Sequence, residues 1–440
     1  MRRLINYKFY LLVSCLWVHA PLFTTAQQPG RLLPVEELFR LGTEHSVRLK
    51  AARMRETVSE EQEKTALADR LPRIEIGVKG GFVGQPVVFQ KGLSRPVRPE
   101  TPDWMQNYDL ELTQPLYQGG KIRYRIRQAA LQKEIAVLQS ANDQAEIKLM
   151  LLRRYMNLFS YYKQQAVLAR NIEESEHRLK DIRQMRKEGL VTRNDEIRSE
   201  LQLTNDRLAS KEAENSILIA SQQLDILLGL DESLLIVPDT TLLYQATGLL
   251  DYPACLQQAY ENYPEMRMAR RNIQLAENDI KLAKADNLPS LSLYAGNTLA
   301  RPVSTTLADM YNTRWNIGLS LSYTLSSLYQ NRHRIQEAKQ NAGLRRNAEE
   351  QLAQEIRMEV KSVYLRHTEA LDRVEALKLS VKQADENYRI VQNRYLNQLS
   401  ILTDLLDASS VRLDAELQLT VARCEAVYTY FELQRVCGHL

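Results

Sequence analysis

The most regular hydrophobic pattern in the chain lies between Lys121 and Glu188, a long stretch without glycine or proline. Apolar residues recur there in alternating steps of four and three, which is typical of a helix that packs along a heptad seam. A second seam repeats every seven residues on another flank. At about 1.5 Å per residue the stretch predicts one helix roughly 100 Å long. A helix with two apolar flanks needs a neighbour on each side, which favours a sheet or cylinder of helices over a dimeric coiled coil.

The pattern changes from a helical period to strict alternation after Pro72. Apolar and polar residues then alternate in two segments, which predicts strands over about residues 73–90 and 104–117. The segment between them is rich in proline, glycine and arginine and predicts a long loop. A second pair of strands is predicted over about residues 290–300 and 313–325. Each pair of strands leads into a long helical pattern.

The order of these patterns repeats along the chain, and the register of the repeat is visible residue by residue. Glu44 and Pro72 recur as Glu261 and Pro289, and Leu110 recurs as Leu319. The offset between equivalent positions is constant up to Pro72, and from Leu110 onward it is constant again but smaller by eight. The whole difference falls in the loop between the first two strands. Loops absorb insertions more readily than packed helices do, so the helices of the two repeats keep equal lengths.

The duplicated unit is a helix, two strands, a long helix and a final shorter helix. Asn194 and Asp195 are expected to cap the final helix of the first unit. Two short helices together match the length of one long helix, so each repeat predicts two helical columns and the chain four. We predict a first repeat over 27–230 with helices over about 35–70, 121–188 and 194–229, a linker over 231–251, and a second repeat over 252–440 with helices over about 253–287, 331–396 and 402–437.

The predicted strands cannot bury themselves within one chain. Four strands with one apolar face are too few to close a barrel, for which about eight is the practical minimum. They must be shared between copies or covered by something else. A soluble sheet with ordinary strand aromatics is one interpretation, and a membrane barrel is the other. Aromatic residues near the strand ends favour the interfacial girdle of an outer-membrane barrel: Phe82, Trp104, Tyr108, Tyr117, Tyr294, Tyr311, Trp315 and Tyr323.

Residues 1–26 are typical of a secretory signal peptide, with Arg2, Arg3 and Lys8 close to an apolar run. The alternatives are a lipoprotein signal acylated at Cys15 and a membrane-spanning segment, for which the run is short. Cleavage would remove three of the 58 basic residues and none of the 54 acidic ones, leaving a net charge of +1. No polybasic surface for nucleic acid is then expected, and no later stretch is apolar enough for a transmembrane helix.

The rest of the chain carries little of the chemistry that an enzyme needs. Cys255, Cys424 and Cys437 form no evident disulfide framework, because the last two lie thirteen residues apart in one helical pattern and cannot meet. Histidine and methionine residues are scattered without the spacing of a metal site. No nucleophile elbow or phosphate loop occurs. We therefore expect no enzyme activity, no cofactor and no bound metal.

The chain resembles the TolC-like outer-membrane efflux proteins over essentially its whole mature length. The resemblance lies in the duplicated order of elements, in the junction Leu112–Gly120, and in the turn segments Gly189–Asp195 and Tyr395–Ala408. It implies a mainly α fold with membrane β: a homotrimer whose strands form a twelve-stranded barrel in the outer membrane, continued by a helical tunnel across the periplasm. The protein would then be the passive exit duct of a tripartite efflux pump or type I secretion system. Its partners would be a periplasmic adaptor and an inner-membrane transporter.

The resemblance also implies gate residues. Asp404 and Asp407 share one helical face at i and i+3, and they match family aspartates that line the closed entrance. Asp195 matches an acid that bonds a tyrosine of a neighbouring inner helix, and Tyr395 has the matching position. The family's arginine four residues before the first gate aspartate is replaced here by Ser400, so a latch that relies on this cation is not expected. The alternative is that these acids merely favour helix N-termini or are solvated.

The two turns beyond the long helices would lie at the far end of the tunnel, where adaptor hairpins dock in this family. Gly189 is an economical helix stop with or without docking. Exposed apolar side chains at Leu190, Val191 and Leu399 are the stronger sign of a partner. The predicted docking residues are Gly189, Leu190, Val191, Thr192, Gln398, Leu399 and Ser400.

A secreted coiled-coil scaffold or adhesin without channel activity is the main alternative function. It would explain the heptads, but it would not explain strand pairs inserted at matching points of both repeats. Within the channel class, the sequence does not separate drug efflux from protein secretion, because specificity usually resides in the upstream components.

Overall fold

The computed structural model describes residues 30–85, 87–99, 102–244, 248, 251–301 and 310–440. The predicted leader with Cys15 lies outside the described residues, as do parts of the linker and of both strand-connecting loops. The first half contains β1 (Arg31–Leu33), α1 (Val35–His45), α2 (Val47–Ala68), β2 (Arg73–Phe82), β3 (Val88–Lys91), β4 (Ser94–Val97), β5 (Trp104–Gln118), α3 (Lys121–Lys187) and α4 (Arg193–Leu228). The second half contains β6 (Ile236–Pro238), a short 3-10 helix (Thr241–Tyr244), α5 (Tyr252–Asn262), α6 (Pro264–Ala285), β7 (Ser290–Arg301), β8 (Asn312–Ser322), α7 (Ser327–Leu396) and α8 (Leu402–Val436).

The helix that opens each repeat is divided in two, so the predicted continuous helices over 35–70 and 253–287 are wrong. Ser46 is extended, and its Oγ accepts a hydrogen bond from the Leu49 N–H at 3.3 Å, which starts α2. Tyr263 is extended because Pro264 follows it, and a residue before proline is driven out of the helical conformation. Ser46 and Tyr263 are equivalent positions of the duplication, so both repeats break at the same place.

Three other boundaries differ from the prediction. β2 ends at Phe82, and the chain from Val88 to Val97 forms a separate two-stranded hairpin of β3 and β4 rather than a continuation of the strand to residue 90. β8 ends at Ser322 instead of near residue 325. α7 begins at Ser327 instead of near residue 331. The intervening turn is thus shorter than the sequence suggested.

A four-stranded antiparallel sheet has the order β2–β5–β7–β8. Its register carries apolar positions across all strands on one face: Ile74 pairs with Leu112, Leu112 with Ala295, and Ala295 with Ile317. The next row, which begins at Glu75, holds acidic, glycine and amide residues. β2 and β8 are edge strands, since each has a neighbour on only one side within the part of the chain that the structure describes.

The helices form two connected rows. α2, α3, α6 and α7 pack in that order in the half nearer the sheet, and α4, α3, α8 and α7 pack in that order in the other half. The long helices α3 and α7 run through both rows, whereas the shorter helices occupy one half each. Among the described residues, none of the helices combines the length and apolar composition that a transmembrane helix requires.

The largest hydrophobic core lies where the helices meet the linker between the repeats. Tyr155 of α3 is fully buried there; its hydroxyl donates to the Leu33 carbonyl at 2.5 Å and accepts from the Asp239 N–H at 2.6 Å. Leu33 ends β1 and Asp239 follows β6, and these two strands pair in parallel. Burial raises the pKa of Tyr155 to about 12, so the phenol stays protonated. One hydroxyl thus joins the long helix to the strand before α1 and to the linker that follows the first repeat.

Tyr155→Phe should lower stability, because the Leu33 carbonyl and the Asp239 N–H would each lose a buried partner. A buried polar group left without a partner costs about 1–3 kcal/mol. Tyr162→Phe is the matched control, since the Tyr162 hydroxyl is buried without a hydrogen-bond partner in the described chain. Thermal unfolding followed by circular dichroism should give a lower midpoint for Tyr155→Phe alone. Equal midpoints for the two variants would contradict the role of the Tyr155 hydroxyl.

Candidate channel entrance and membrane sheet

The turn between α3 and α4 is built from a glycine and a capping box. Gly189 has a φ of +77°, a left-handed conformation that residues with a Cβ rarely adopt. Thr192 is the N-cap of α4: its hydroxyl accepts from the Asp195 N–H at 3.2 Å, and the Asp195 carboxylate accepts from the Thr192 N–H at 2.9 Å. The predicted cap at Asn194 is wrong, because the box pairs Asp195 with the residue three positions before it.

The turn between α7 and α8 lacks both of these features. Gln398 is the equivalent of Gly189 in the second repeat, and it also has a left-handed φ, of +60°. That conformation costs a residue with a Cβ about 1–2 kcal/mol. Ile401 takes the position of Thr192, and as the N-cap of α8 it makes no side-chain hydrogen bond. The second turn therefore has a similar backbone conformation to the first, but fewer local interactions stabilise it.

Asp404 and Asp407 lie at the start of α8 and are both exposed. Leu405 and Ala408, which follow them in sequence, point the other way and are buried. The Ser400 hydroxyl donates to the Asp404 carboxylate at 2.7 Å, so a neutral donor stands at the position where the resemblance leads one to expect an arginine. The two carboxylates share one solvent-facing surface next to the turn, in keeping with their i, i+3 spacing.

Tyr395 belongs to a small hydrophobic core between α3, α7 and α8, and 6% of its surface is exposed. Its hydroxyl has no hydrogen-bond partner among the described residues. Burial, and after it the negative charge of Asp195, raises the pKa of Tyr395. The predicted hydrogen bond between Asp195 and Tyr395 is not formed, and the Asp195 carboxylate is bound by the backbone and hydroxyl of Thr192 instead.

A buried polar cluster next to this core was not predicted. The Asp206 carboxylate of α4 accepts hydrogen bonds from Asn171 at 2.9 Å and Ser175 at 3.1 Å, both on α3. Ser409 of α8 donates to Asn171 at 3.3 Å, and Arg178 of α3 reaches Ser409 at 3.4 Å. All five side chains are buried. The signal in the sequence is that the three α3 residues lie in steps of three and four between Leu168 and Ile182, which are also buried. Polar residues on such a buried flank need hydrogen-bond partners.

Most of the aromatic residues predicted for a membrane girdle lie on the apolar face of the sheet. Phe82 pairs with Trp104, and their rings meet edge to face with centroids 4.8 Å apart. Tyr311 precedes β8, and its hydroxyl hydrogen-bonds Gln106; Tyr323 follows β8. Three further aromatic residues pair within apolar rows: Tyr108, Tyr117 and Trp315.

Tyr294 is the exception to this arrangement. It pairs with Thr113 on one side and Gly318 on the other, in a row of the polar face. The prediction for Tyr294 is wrong because this residue is one position out of phase with Leu293 and Ala295, whose side chains occupy the apolar face. An added Cβ at Gly318 would lie 2.6 Å from the Tyr294 hydroxyl oxygen, so the hydroxyl end of the ring lies close against this glycine.

The chain belongs to the outer membrane efflux protein family, whose model matches residues 42–230 and 255–439. It is therefore an outer-membrane channel protein of the efflux class that extends into the periplasm, and a transport protein rather than an enzyme. No match was found among curated proteins. The matched segments correspond closely to the two halves of the chain that share one order of elements.

Several solved structures have the same fold over nearly the whole chain. The outer-membrane channel OprN is 20% identical, with a TM-score of 0.75 and coverage of 92% of this chain and 90% of that chain. VceC from the bacterial pathogen Vibrio cholerae is 17% identical, with a TM-score of 0.73 and coverage of 92% and 96%. The open state of the Neisseria gonorrhoeae MtrE channel is 17% identical, with a TM-score of 0.72 and coverage of 92% and 88%. None of these comparisons supports a secreted scaffold or adhesin.

Ile401→Thr should stabilise the turn between α7 and α8, because threonine would complete a capping box with Asp404 three positions later. An N-cap hydroxyl contributes about 1 kcal/mol relative to an apolar residue. Thr192→Ile is the reciprocal change and should destabilise the first turn by a similar amount. Hydrogen exchange should slow at the start of α8 in the first variant and accelerate at the start of α4 in the second. Exchange rates that change in neither variant would refute this account of the two turns.

Proposed function

We propose that three copies of this chain form the passive exit duct of a tripartite efflux pump or type I secretion system, with a gated periplasmic entrance. The observation that carries the proposal is that the sheet and the row of helices each have two sides without a neighbour among the described residues. β2 and β8 are the unpaired edges of the sheet, and α4 and α7 stand at the ends of the row of helices. A rotational assembly closes such open sides, because one side of each copy meets the opposite side of the next.

The sheet supports the proposal through its two faces. Three four-stranded sheets supply twelve strands for a barrel that one chain cannot close. In lipid, the free N–H and C=O groups of β2 and β8 must find partners, because the surroundings offer none. The face that begins at Ile74 would then contact lipid, and the face that contains Glu75 and Tyr294 would line the lumen.

The end helices support the proposal through their exposed apolar residues. Ile197, Leu201 and Leu208 are exposed on α4, and Leu379 and Ile390 are exposed on α7. Both sets lie within a few helical turns of the loops that join the helices, so they have the same depth along a tunnel. Packing them against each other between copies would gain about 25 cal/mol for each Å² of apolar surface buried.

The gate in this proposal is a ring of carboxylates. Asp404 and Asp407 are exposed on one face of α8 beside the turn, and three copies would bring six carboxylates to the axis. Such a ring attracts cations and repels anions. The core around Tyr395 and the polar cluster at Asp206 hold α8 against α3, so they would set the position of the ring.

Adaptor docking is proposed at the tips of the two turns. Leu190 and Leu399 are 50% and 68% exposed, and apolar side chains at this exposure favour a partner surface. Val191 contributes less than the sequence suggested, because it packs against the core that contains Tyr395. Gly189 and Thr192 shape the first tip. An inner-membrane transporter would supply the energy, since the sequence contains no phosphate loop for nucleotide binding.

Asp404→Asn combined with Asp407→Asn should strongly reduce the cation selectivity of the channel, because all the carboxylates proposed for the constriction are removed. Planar-bilayer recordings of purified protein in a salt gradient measure this as a reversal potential that moves toward zero. Asp231→Asn is the control: it neutralises an acid in the loop after α4, where the carboxylate is bound to Ser233. Unchanged selectivity in the double variant would remove these acids from the constriction, and absence of any conductance would oppose the channel itself.

Leu190→Glu combined with Leu399→Glu should abolish crosslinking to the periplasmic adaptor, because the charges disrupt both proposed docking tips. The oligomeric state on a non-denaturing gel should stay unchanged, since these side chains are outside the proposed contacts between copies. Leu93→Glu is the control, as Leu93 is a highly exposed leucine of the β3–β4 hairpin at the other end of the molecule. Crosslinking that survives the double change would refute the docking assignment.

A further inference from the structure

Two buried cysteines meet where the second repeat begins and ends. Cys255 lies on α5 and Cys437 is the C-cap of α8; their surfaces are 1% and 0% exposed. Both belong to one hydrophobic core together with Tyr263 and Leu433. Burial, and after it a hydrogen-bonding contact with the Cys255 thiol, raises the pKa of Cys437 to about 12. Both residues are free thiols in this structure.

The first repeat has leucines at the equivalent positions. In the register of the duplication, Leu38 corresponds to Cys255 and Leu228 corresponds to Cys437. Both leucines are fully buried in the core of the first repeat. The junction can therefore be filled by two ordinary apolar side chains. A single buried cysteine serves as a small apolar residue, but here both members of one facing pair are cysteine.

Neighbouring contacts hold the two segments together without help from the sulfurs. Gly438 lies so close to the end of α5 that an added Cβ would be 2.7 Å from the Cβ of Asn262. The His439 Nε2 hydrogen-bonds the side-chain oxygen of Gln258 at 3.2 Å. These contacts fix the end of α8 beside α5, so the two thiols lie in one junction without a bond between them. A native disulfide requires such proximity of the two chain segments.

We infer that Cys255 and Cys437 form a disulfide in the mature protein, which joins the first helix of the second repeat to its C-terminal end. The family places the protein in the cell envelope, where thiols are oxidised. Each thiol loses one proton and one electron as the S–S bond forms. The acceptor is a protein disulfide of an envelope thiol oxidase, which is reduced to two thiols by exchange. Since both sulfurs are buried in the folded chain, the exchange occurs before this core is packed.

The disulfide would anchor the column of the tunnel that carries the proposed gate. It closes a loop that contains nearly the whole second repeat, and long closed loops restrict the unfolded chain strongly. One end of α8 would be fixed at Cys437, and the other end carries Asp404 and Asp407. The inference needs only the envelope location and holds whether or not these acids form a gate. Cys424 offers an internal control, because it is buried in the largest core, where it is the one cysteine among the described residues.

Peptide mapping tests the linkage directly. An alkylating reagent is added to intact cells before lysis, and the full-length protein is purified and digested without reductant. A peptide containing Cys255 should be recovered joined to one containing Cys437, while Cys424 should be alkylated once the chain is unfolded in the reagent. The inference would be overturned if all three cysteines were fully alkylated or if a bond to Cys424 were found. It would also be overturned if the linkage appeared only in samples that were not alkylated before lysis.

Thermal unfolding with and without a thiol reductant tests the consequence. Reductant should lower the midpoint of the wild-type protein and of Cys424→Ala. It should leave the midpoint of Cys255→Ala/Cys437→Ala unchanged, whatever the absolute stability of that variant, because no bond remains to be reduced. A wild-type midpoint that reductant does not move would contradict the stabilising role. The conductance of the reduced protein is recorded separately, because the channel can stay open without the disulfide. Failure of the disulfide prediction is thereby distinguished from failure of the proposed channel function.

Discussion

The unpaired backbone groups along β2 and β8 are the constraint on which the rest of the structure depends. A sheet edge in water can be solvated, but an edge in lipid leaves every second N–H and C=O group without a partner. Among the described residues this sheet has four strands, and its apolar face is too exposed for a single copy in water. In the proposed assembly, closure between copies would pair the backbone groups of the two edges, and lipid would cover the apolar face.

The helices meet the same constraint in another form. α3 has neighbours on both flanks within the chain, whereas α4 and α7 each have a free flank. Exposed apolar residues occur on both of these end helices, so the proposed rotational assembly would close the helices and the sheet together. The two turns at the far end differ in their local interactions, and the turn between α7 and α8 has the weaker set, with a left-handed Gln398 and no side-chain N-cap. In the proposed gate, this difference would suit the turn between α7 and α8 to movement.

Much of the fold follows from local patterns. The heptad seam from Leu131 and the alternation from Ile74 predict the long helix and the two-faced sheet, because burial of one face imposes a period on the sequence. The sequence signal for the break at Tyr263 is Pro264, because a residue before proline avoids the helical conformation. The break at Ser46 has no proline, and only its serine cap could have indicated it.

The site was less predictable, because it depends on which side chains compete for the same partner. Asp195 and Tyr395 match a family latch by position, yet the nearer Thr192 takes the carboxylate. The contact between Cys255 and Cys437 joins residues from opposite ends of a repeat, so no spacing in the chain reveals it. The duplication provides a signal, since the two cysteines occupy the positions of Leu38 and Leu228, which are core residues of the first repeat.

The central claim is that the chain works only as a closed ring of three. Native mass spectrometry of the protein extracted from outer membranes in mild detergent tests this claim most directly. The account predicts a mass of three mature chains that persists until the detergent or temperature unfolds the sheet. A single-chain mass under conditions that preserve the secondary structure would contradict it.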